Sequence, residues 1–233
     1  DGTILLDGMA DIEDTETPEP PSTGEEDDYY VGVTHGEIIP EGGTYYVGVT
    51  STATGDYTGA TATYSAGDEF PETISDGDVY VYGDYEYRYN TEFTDVRSWV
   101  KKEERPGWGV GVLENKSEYG TMLSTINGKN VTNLSCTFWW MNEMTTAPIV
   151  PSTIKYMEYA FLGCTNLTEI TINSKELLNY SGMLYESNVS KINGNISNEL
   201  KTNILKTSSS TDIPKYYTGI TDTKLYGTDS AYN

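Results

Sequence analysis

The stretch Ile154-Lys155-Tyr156-Met157-Glu158-Tyr159-Ala160-Phe161-Leu162-Gly163-Cys164-Thr165-Asn166-Leu167-Thr168-Glu169-Ile170-Thr171-Ile172 decides how this chain is read, because its apolar pattern recurs on either side at a fixed spacing. Val131, Ile154 and Leu177 follow one another at intervals of 23 residues; Leu134, Met157 and Tyr180 keep that interval, and so do Phe138, Phe161 and Leu184. Each unit thus opens with apolar residues at i, i+3 and i+7, one face of a short helix. Its second half, Leu167 to Ile172, alternates as a strand does, and Ile149 stands 23 residues before Ile172. Leu200, 23 residues beyond Leu177, marks a worn fourth unit. A unit of this size cannot bury its own apolar face, whereas stacked neighbours can, and a period of about 20 to 29 residues is the mark of a solenoid of the leucine-rich type. The fold class expected is α+β, a small antiparallel β-module followed by a short leucine-rich-repeat solenoid.

Within the central unit, Ala160-Phe161, Gly163-Cys164-Thr165, Leu167-Thr168 and Ile170-Thr171-Ile172 stand in the order of the BspA-like leucine-rich repeat, and the chain resembles that family through them. The first unit departs from the pattern, with Trp139, Trp140 and Met141 where Leu162, Gly163 and Cys164 stand in the second. The third departs further, with Asn188 and Val189 around the position of Leu167. The resemblance covers about a third of the chain and is specific in one unit only. It implies display on an outer surface and adhesion to cell-surface glycans or proteins, as in surface proteins of gut bacteria and virion proteins of their tailed phages. Trp139, Trp140 and Tyr156 depart from or extend the consensus apolar positions, so they are candidate exposed binding residues; a Trp in the first unit can instead plug the end of the core.

Upstream of the units the composition changes. Residues 1–100 hold 23 Asp and Glu against Arg88 and Arg97, a net of −21, whereas residues 101–233 hold 13 acidic and 12 basic residues, a net of −1. A field of that sign repels nucleic acid and anionic lipid and suits solubility, cations or a basic partner surface. The acidic part opens with Asp1 to Ala10, in which Ile4, Leu5 and Leu6 make a short apolar strand. That strand is either an ordinary local one or an assembly anchor, added to a sheet edge of a partner or of a second copy. From Asp11 to Asp28 the chain is nearly all Asp, Glu, Thr and Pro, an extended linker that has no core to bury.

A tyrosine-rich β-module follows. Tyr29-Tyr30-Val31-Gly32-Val33-Thr34 recurs as Tyr45-Tyr46-Val47-Gly48-Val49-Thr50, with Pro40-Glu41-Gly42-Gly43 as the turn between two strands. Ala60 to Tyr64 is a third strand. Val79 to Tyr82 and Tyr85 to Tyr89 form a hairpin about Gly83-Asp84. Alternation sets Tyr85, Tyr87 and Tyr89 on one face. This ladder is a candidate binding surface, since planar amphipathic rings stack on sugars and protein loops at little entropic cost, or else it is the packing of a small core. Lys101 to Gly107 reads as a polar loop, Trp108 to Leu113 as a strand, Ser117 to Ile126 as a short helix and Asn127-Gly128 as a turn.

Catalytic machinery is hard to find. His35, the only histidine, sits in a Gly-flanked turn, and no Ser or Cys around it makes a nucleophile and base. One histidine and two cysteines do not complete a four-ligand zinc site. Asp76, Asp78 and Asp84 lack the spacing of a calcium loop and serve as turn residues beside Gly. Cys136 and Cys164 fall in different phases of the period and read as small buried hydrophobes, not a bridge. No phosphate loop and no apolar run of membrane-spanning length is present. No enzyme, metal or cofactor is expected.

The organisation expected is an anchor strand and linker at 1–28, the β-module at 29–113, repeats at 114–207 and a cap or tail at 208–233. Beginning at Asp1, the chain is expected to be a processed product or a piece of a longer one. The function expected is that of a non-enzymatic, surface-displayed structural and recognition protein. As a phage virion component (head fibre, decoration or tail appendage) it would meet other virion proteins through residues 1–28 and host or mucosal glycans or proteins through the rest. The alternative is a bacterial cell-surface adhesin or filament subunit, and a homo-oligomer fits either.

Overall fold

The computed structural model describes residues 36–94 and 102–207. Seven strands form one mixed sheet: β1 (Thr44–Val47), β2 (Ala62–Ser65), β3 (Val79–Tyr82), β4 (Tyr85–Thr94), β5 (Lys102–Val112), β6 (Thr125–Ile126) and β7 (Lys129–Asn133), in the order β2-β1-β3-β4-β5-β7-β6. Every pairing is antiparallel except β5 with β7. The strands are rich in Tyr, Val and Thr, which suit a pleated, half-buried surface. Tyr82 pairs with Tyr85, so Gly83-Asp84 is a two-residue loop, with Gly83 at φ 61°. The second such loop is Asn127-Gly128, with φ of 45° and 70°. Two positive φ values match the right-handed twist of the flanking strands, and Asn followed by Gly adopts them at least cost.

Two expected elements differ. Residues 102–107, read as a loop, continue β5, because the ladder with β4 shifts register between Asn90 and Glu92. Arg105 and Pro106 face Thr91 alone in that bulge, where a proline's lack of an N–H breaks no ladder bond. Residues 117–126 form an irregular segment with a bridge from Glu118 to Thr146, followed by β6, not a helix.

The α+β solenoid is overturned. Among the described residues the chain is mostly β with one helix, α1 (Asn198–Thr207), and its main feature is the seven-stranded mixed sheet, curled as a half-barrel, rather than a leucine-rich-repeat solenoid. The i, i+3, i+7 spacing belongs to turns. The N–H groups of Thr137, Trp139 and Met141 donate to the carbonyls of Leu134, Cys136 and Phe138, three residues back. Those of Leu134, Cys136, Phe138 and Trp140 donate instead to Tyr156, Glu158, Ala160 and Leu162. Met157, Tyr159, Phe161 and Gly163 donate onward in the same way to Asn179, Ser181, Met183 and Tyr185. An α-helix commits each N–H to its own chain four residues back; here every second one leaves for the next segment. Two corners of each segment have positive φ: Cys136, Tyr159 and Gly182 at 60°, 54° and 61°, and Trp140, Gly163 and Glu186 at 56°, 74° and 53°. β8 (Glu169–Thr171) and β9 (Lys191–Asn193) pair in parallel beside them.

The boundary expected at 113 is also absent. β5 ends at Val112 yet pairs with β4 on one side and β7 on the other, and one apolar cluster runs from Ile39 to Ile204. Trp108 Nε1 donates to the Ile126 carbonyl at 3.2 Å, and Thr137 Oγ1 to the Val110 carbonyl at 2.7 Å. Residues 36–112 and 113–207 thus share a core. Leu200, expected to open a fourth unit, lies half-buried in α1, whose first turn is capped by Ser197 Oγ accepting the Leu200 N–H at 3.1 Å. The anchor and linker at 1–28, the strand at 29–34 and the tail at 208–233 lie outside the described residues.

Candidate functional site

The tyrosine ladder faces inward. Tyr85 and Tyr87 are buried and Tyr89 is half-buried, edge-on to Trp108 at 5.3 Å between ring centroids. Tyr85 Oη donates to the Gly120 carbonyl at 2.7 Å, and Tyr87 Oη accepts the Leu123 N–H at 3.0 Å. Burial raises both phenol pKa values well above the ordinary tyrosine value. Tyr85 and Tyr87 are therefore core residues and not a binding face, which corrects that expectation. The reason lies on the other side of β4, where alternation would place solvent. There Glu86 and Arg88 are buried too, 2.9 Å apart, with Gly55 N–H on Glu86 at 2.7 Å and Arg88 on the Ser51 carbonyl at 2.7 Å. The loop around residues 51–55 covers that face.

The tryptophans part company. Trp139 is buried with Cys136, Tyr159 and Leu162, so it is packing, not an exposed contact. Trp140 is 36 % exposed, and its ring lies on Gly163 so closely that a Cβ there would stand 2.5 Å from Trp140 Cε3. Tyr156 is half-buried, with the Arg105 guanidinium 4.2 Å above its ring. The anchor residues Ile4, Leu5 and Leu6, and His35 also, lie outside the described residues.

Three features escaped sequence reasoning. Arg105 in β5 meets Glu158 at 2.5 Å with both side chains buried, and Glu158 also accepts from Asn179 at 2.6 Å and Ser135 at 3.3 Å. Ser135 and Glu158 share a phase of the 23-residue period, a signal available in the sequence; the partnership with Arg105 was not. Asn142, Asn166 and Asn188 form an exposed ladder beside Trp140: Asn166 Nδ2 donates to the Asn142 carbonyl at 2.6 Å, and Asn188 Nδ2 to the Thr165 carbonyl at 2.5 Å. The Asn166 and Asn188 amide hydrogens thus brace the turns, while Asn142 Oδ1 accepts from Asn115 Nδ2 at 2.9 Å. Last, Asp78 is buried, accepting from Tyr45 Oη and the N–H groups of Gly48 and Ser75, each at 2.9 Å.

Asp76 and Asp84 are likewise engaged apart from one another. Asp76 accepts from Thr91 at 2.7 Å, and Asp84 from Lys116 at 2.6 Å and the Gly120 N–H at 2.7 Å. The Lys116 hydrogen bond holds the Asp84 carboxyl below its ordinary pKa. Among the described residues no group of three His, Cys, Asp or Glu stands ready for a metal ion, and no helix is long and apolar enough to cross a membrane. Cys136 and Cys164 are unbridged and buried, Cys164 with its Sγ on the Phe138 carbonyl at 3.0 Å. What the surface offers is the partly exposed Trp140 and a row of exposed carboxamides at 142, 166 and 188. No protein-family model, no curated protein and no solved structure matches the chain.

Proposed function

We propose that the chain is a non-enzymatic structural and recognition protein of an outer surface, a phage virion component such as a head fibre, decoration or tail appendage, which contacts host or mucosal glycans or proteins. The observation that carries this reading is Trp140. A bulky residue at φ 56° costs roughly 1–2 kcal/mol relative to a right-handed conformation, yet the ring is held at the surface against Gly163. A strained, exposed aromatic next to the exposed asparagines 142, 166 and 188 is a contact site, not filler for a core. The BspA-like motif of residues 160–172 supports display at an outer surface, and the acidic linker supports a tether between residues 1–10 and the described body.

Full-length protein, presented to immobilised mucin-type glycans and to host-cell envelopes, should bind saturably. Trp140→Ala should weaken that binding at least about tenfold, or about 1.4 kcal/mol, whereas Tyr89→Phe should leave it unchanged. Equal binding by wild type and Trp140→Ala removes Trp140 from the site. Failure of the wild type on every surface removes the recognition role.

A further inference from the structure

The ladder of hydrogen-bonded segments stops at its third member. Each of the first two segments sends four N–H groups at two-residue spacing to carbonyls of the next, from Leu134 to Trp140 and from Met157 to Gly163. In the third segment the same places belong to Tyr180, Gly182, Leu184 and Glu186, whose N–H groups have no partner among the described residues. The carbonyls of Tyr180, Gly182 and Leu184 close their own turns, so this edge presents amides. One acceptor joins them at its start: the Leu178 carbonyl takes the place in which the Thr132 and Lys155 carbonyls each accept two N–H groups. The apolar groups here are less covered too. Ile154 and Met157 are fully buried, whereas Leu177 and Tyr180 are half-buried and Leu178 is 64 % exposed.

The hydrogen-bond chemistry of the edge selects what can cover it. Four donors at two-residue spacing require four acceptors at that spacing, which is how an extended polypeptide presents its carbonyls to one side. The described residues of a second copy cannot supply them. Their carbonyl rows at 156–162 and 179–185 are taken by the first and second segments, and Ser135, Thr137 and Trp139, in the same places of the first segment, are buried. The free sheet edges β2, β6 and β9 are four, two and three residues long, shorter than the row from Tyr180 to Glu186. Two copies of the open edge would meet amide to amide. We propose that the edge from Leu178 to Glu186 is a docking surface for an extended segment of a partner protein, which adds in parallel as a fourth member of the ladder.

The two segments already docked specify the partner's pattern. In each, the first accepting carbonyl lies two residues after an apolar residue, and further apolar residues follow that one at three and seven. Ile154, Met157 and Phe161 go with the carbonyl row from Tyr156, and Leu177, Tyr180 and Leu184 with the row from Asn179. The segment that fits the edge therefore has apolar residues at k, k+3 and k+7 and free carbonyls at k+2, k+4, k+6 and k+8. By the same phase, which sets Thr132, Lys155 and Leu178 in one row, Leu178 lies against its residue k+1.

A peptide of residues 152–166, which carries this pattern, stands in for the partner in amide hydrogen exchange of the full chain. Saturating peptide should slow exchange at the Gly182, Leu184 and Glu186 amides at least about tenfold, and a peptide carrying Met157→Asp and Phe161→Asp should leave them unchanged. In the protein, Leu178→Asp, at an exposed position, should raise the peptide concentration that gives half of the protection at least about fivefold. The same exchange rates with and without peptide overturn the proposal, whether the amides are fast in both, so that the edge takes no strand, or slow in both, so that the protein covers the edge itself. Protection by mucin-type glycans and not by the peptide also overturns it, and gives the edge to sugars.

Discussion

The antiparallel part of the molecule, residues 44–112, and the turn-built part, residues 131–193, satisfy their backbones in different ways. In the first, whole strands pair in register and the side chains do the cross-bracing. Tyr45 reaches Asp78, Tyr85 reaches the Gly120 carbonyl, and Tyr87 takes the Leu123 N–H. In the second, the backbone itself alternates between its own turn and the next segment, and interior side chains such as Phe138 and Phe161 only fill space, stacked 5.2 Å apart. Aromatic hydroxyls thus hold one part and peptide groups the other. The two meet at Arg105 and Glu158, the buried ion pair that joins β5 to the second segment.

Breaking that junction should have the largest effect. Arg105→Ala takes the guanidinium away from the buried Glu158 carboxylate, which Asn179 and Ser135 reach only as neutral donors, at a cost of about 3–5 kcal/mol in urea unfolding. Arg105→Met/Glu158→Met removes both charges and should return stability to within about 1 kcal/mol of wild type. A double variant as unstable as the single one would show that the pair itself, and not the orphaned charge, holds the two parts together.

Alkaline pH should separate the parts next. Burial raises the phenols of Tyr45, Tyr85 and Tyr87, with Asp78 adding to the effect at Tyr45. All three stay neutral in the folded chain while the unfolded chain ionises near the ordinary value of 10.0. Above that pH the unfolded state therefore binds fewer protons, and stability falls as pH rises. At pH 11 each tyrosine has lost about 1.4 kcal/mol, about 4 kcal/mol for the three. The stabilisation is fully present below pH about 10. Urea unfolding at pH 8, 10 and 11 measures the loss, and Tyr85→Phe/Tyr87→Phe should cut it by about two thirds. Unchanged stability between pH 9 and 11 would mean that these hydroxyls are not held away from water.

The sequence disclosed strands and turns better than it disclosed the central architecture. Val79–Tyr82 and Tyr85–Tyr89 around Gly83-Asp84, and the Asn127-Gly128 turn, were legible because two-residue loops demand positive φ and particular residues supply it. The units of 23 residues misled as to type, since i, i+3, i+7 marks an inward-facing row whether a helix or a series of turns carries it. Only the destination of alternate N–H groups separates the two, and no side chain reports it. The tyrosine ladder misled for a related reason: alternation set Tyr85 and Tyr87 on one face of β4, but Glu86 and Arg88 on the other are buried as well. Nothing in an alternating strand shows that a distant loop, here residues 51–55, covers its polar side. Of the six binding candidates, Trp140 alone is exposed, and its corner shows in sequence only as a Trp in the phase of Gly163.

The smallest effect gives the finest comparison, because one hydroxyl-to-carbonyl hydrogen bond can be deleted in each part. Tyr85→Phe removes the donor to the Gly120 carbonyl, and Ser174→Ala removes the donor to the Ile154 carbonyl. Gly120 is exposed, so water replaces the phenol and the cost should be no more than about 1 kcal/mol. Ile154 and Ser174 are both fully buried, and no other donor among the described residues reaches that carbonyl, so its desolvation is uncompensated and the cost should be about 1–3 kcal/mol. If hydroxyls hold the antiparallel part and peptides the turn-built part simply by kind, Tyr85→Phe will be the costlier variant. If access of water decides, the order reverses: the larger loss falls on Ser174, a small residue in the part whose segments are joined mainly by peptide groups. Urea unfolding of the two variants at pH 7, below any tyrosine ionisation, decides between the two accounts.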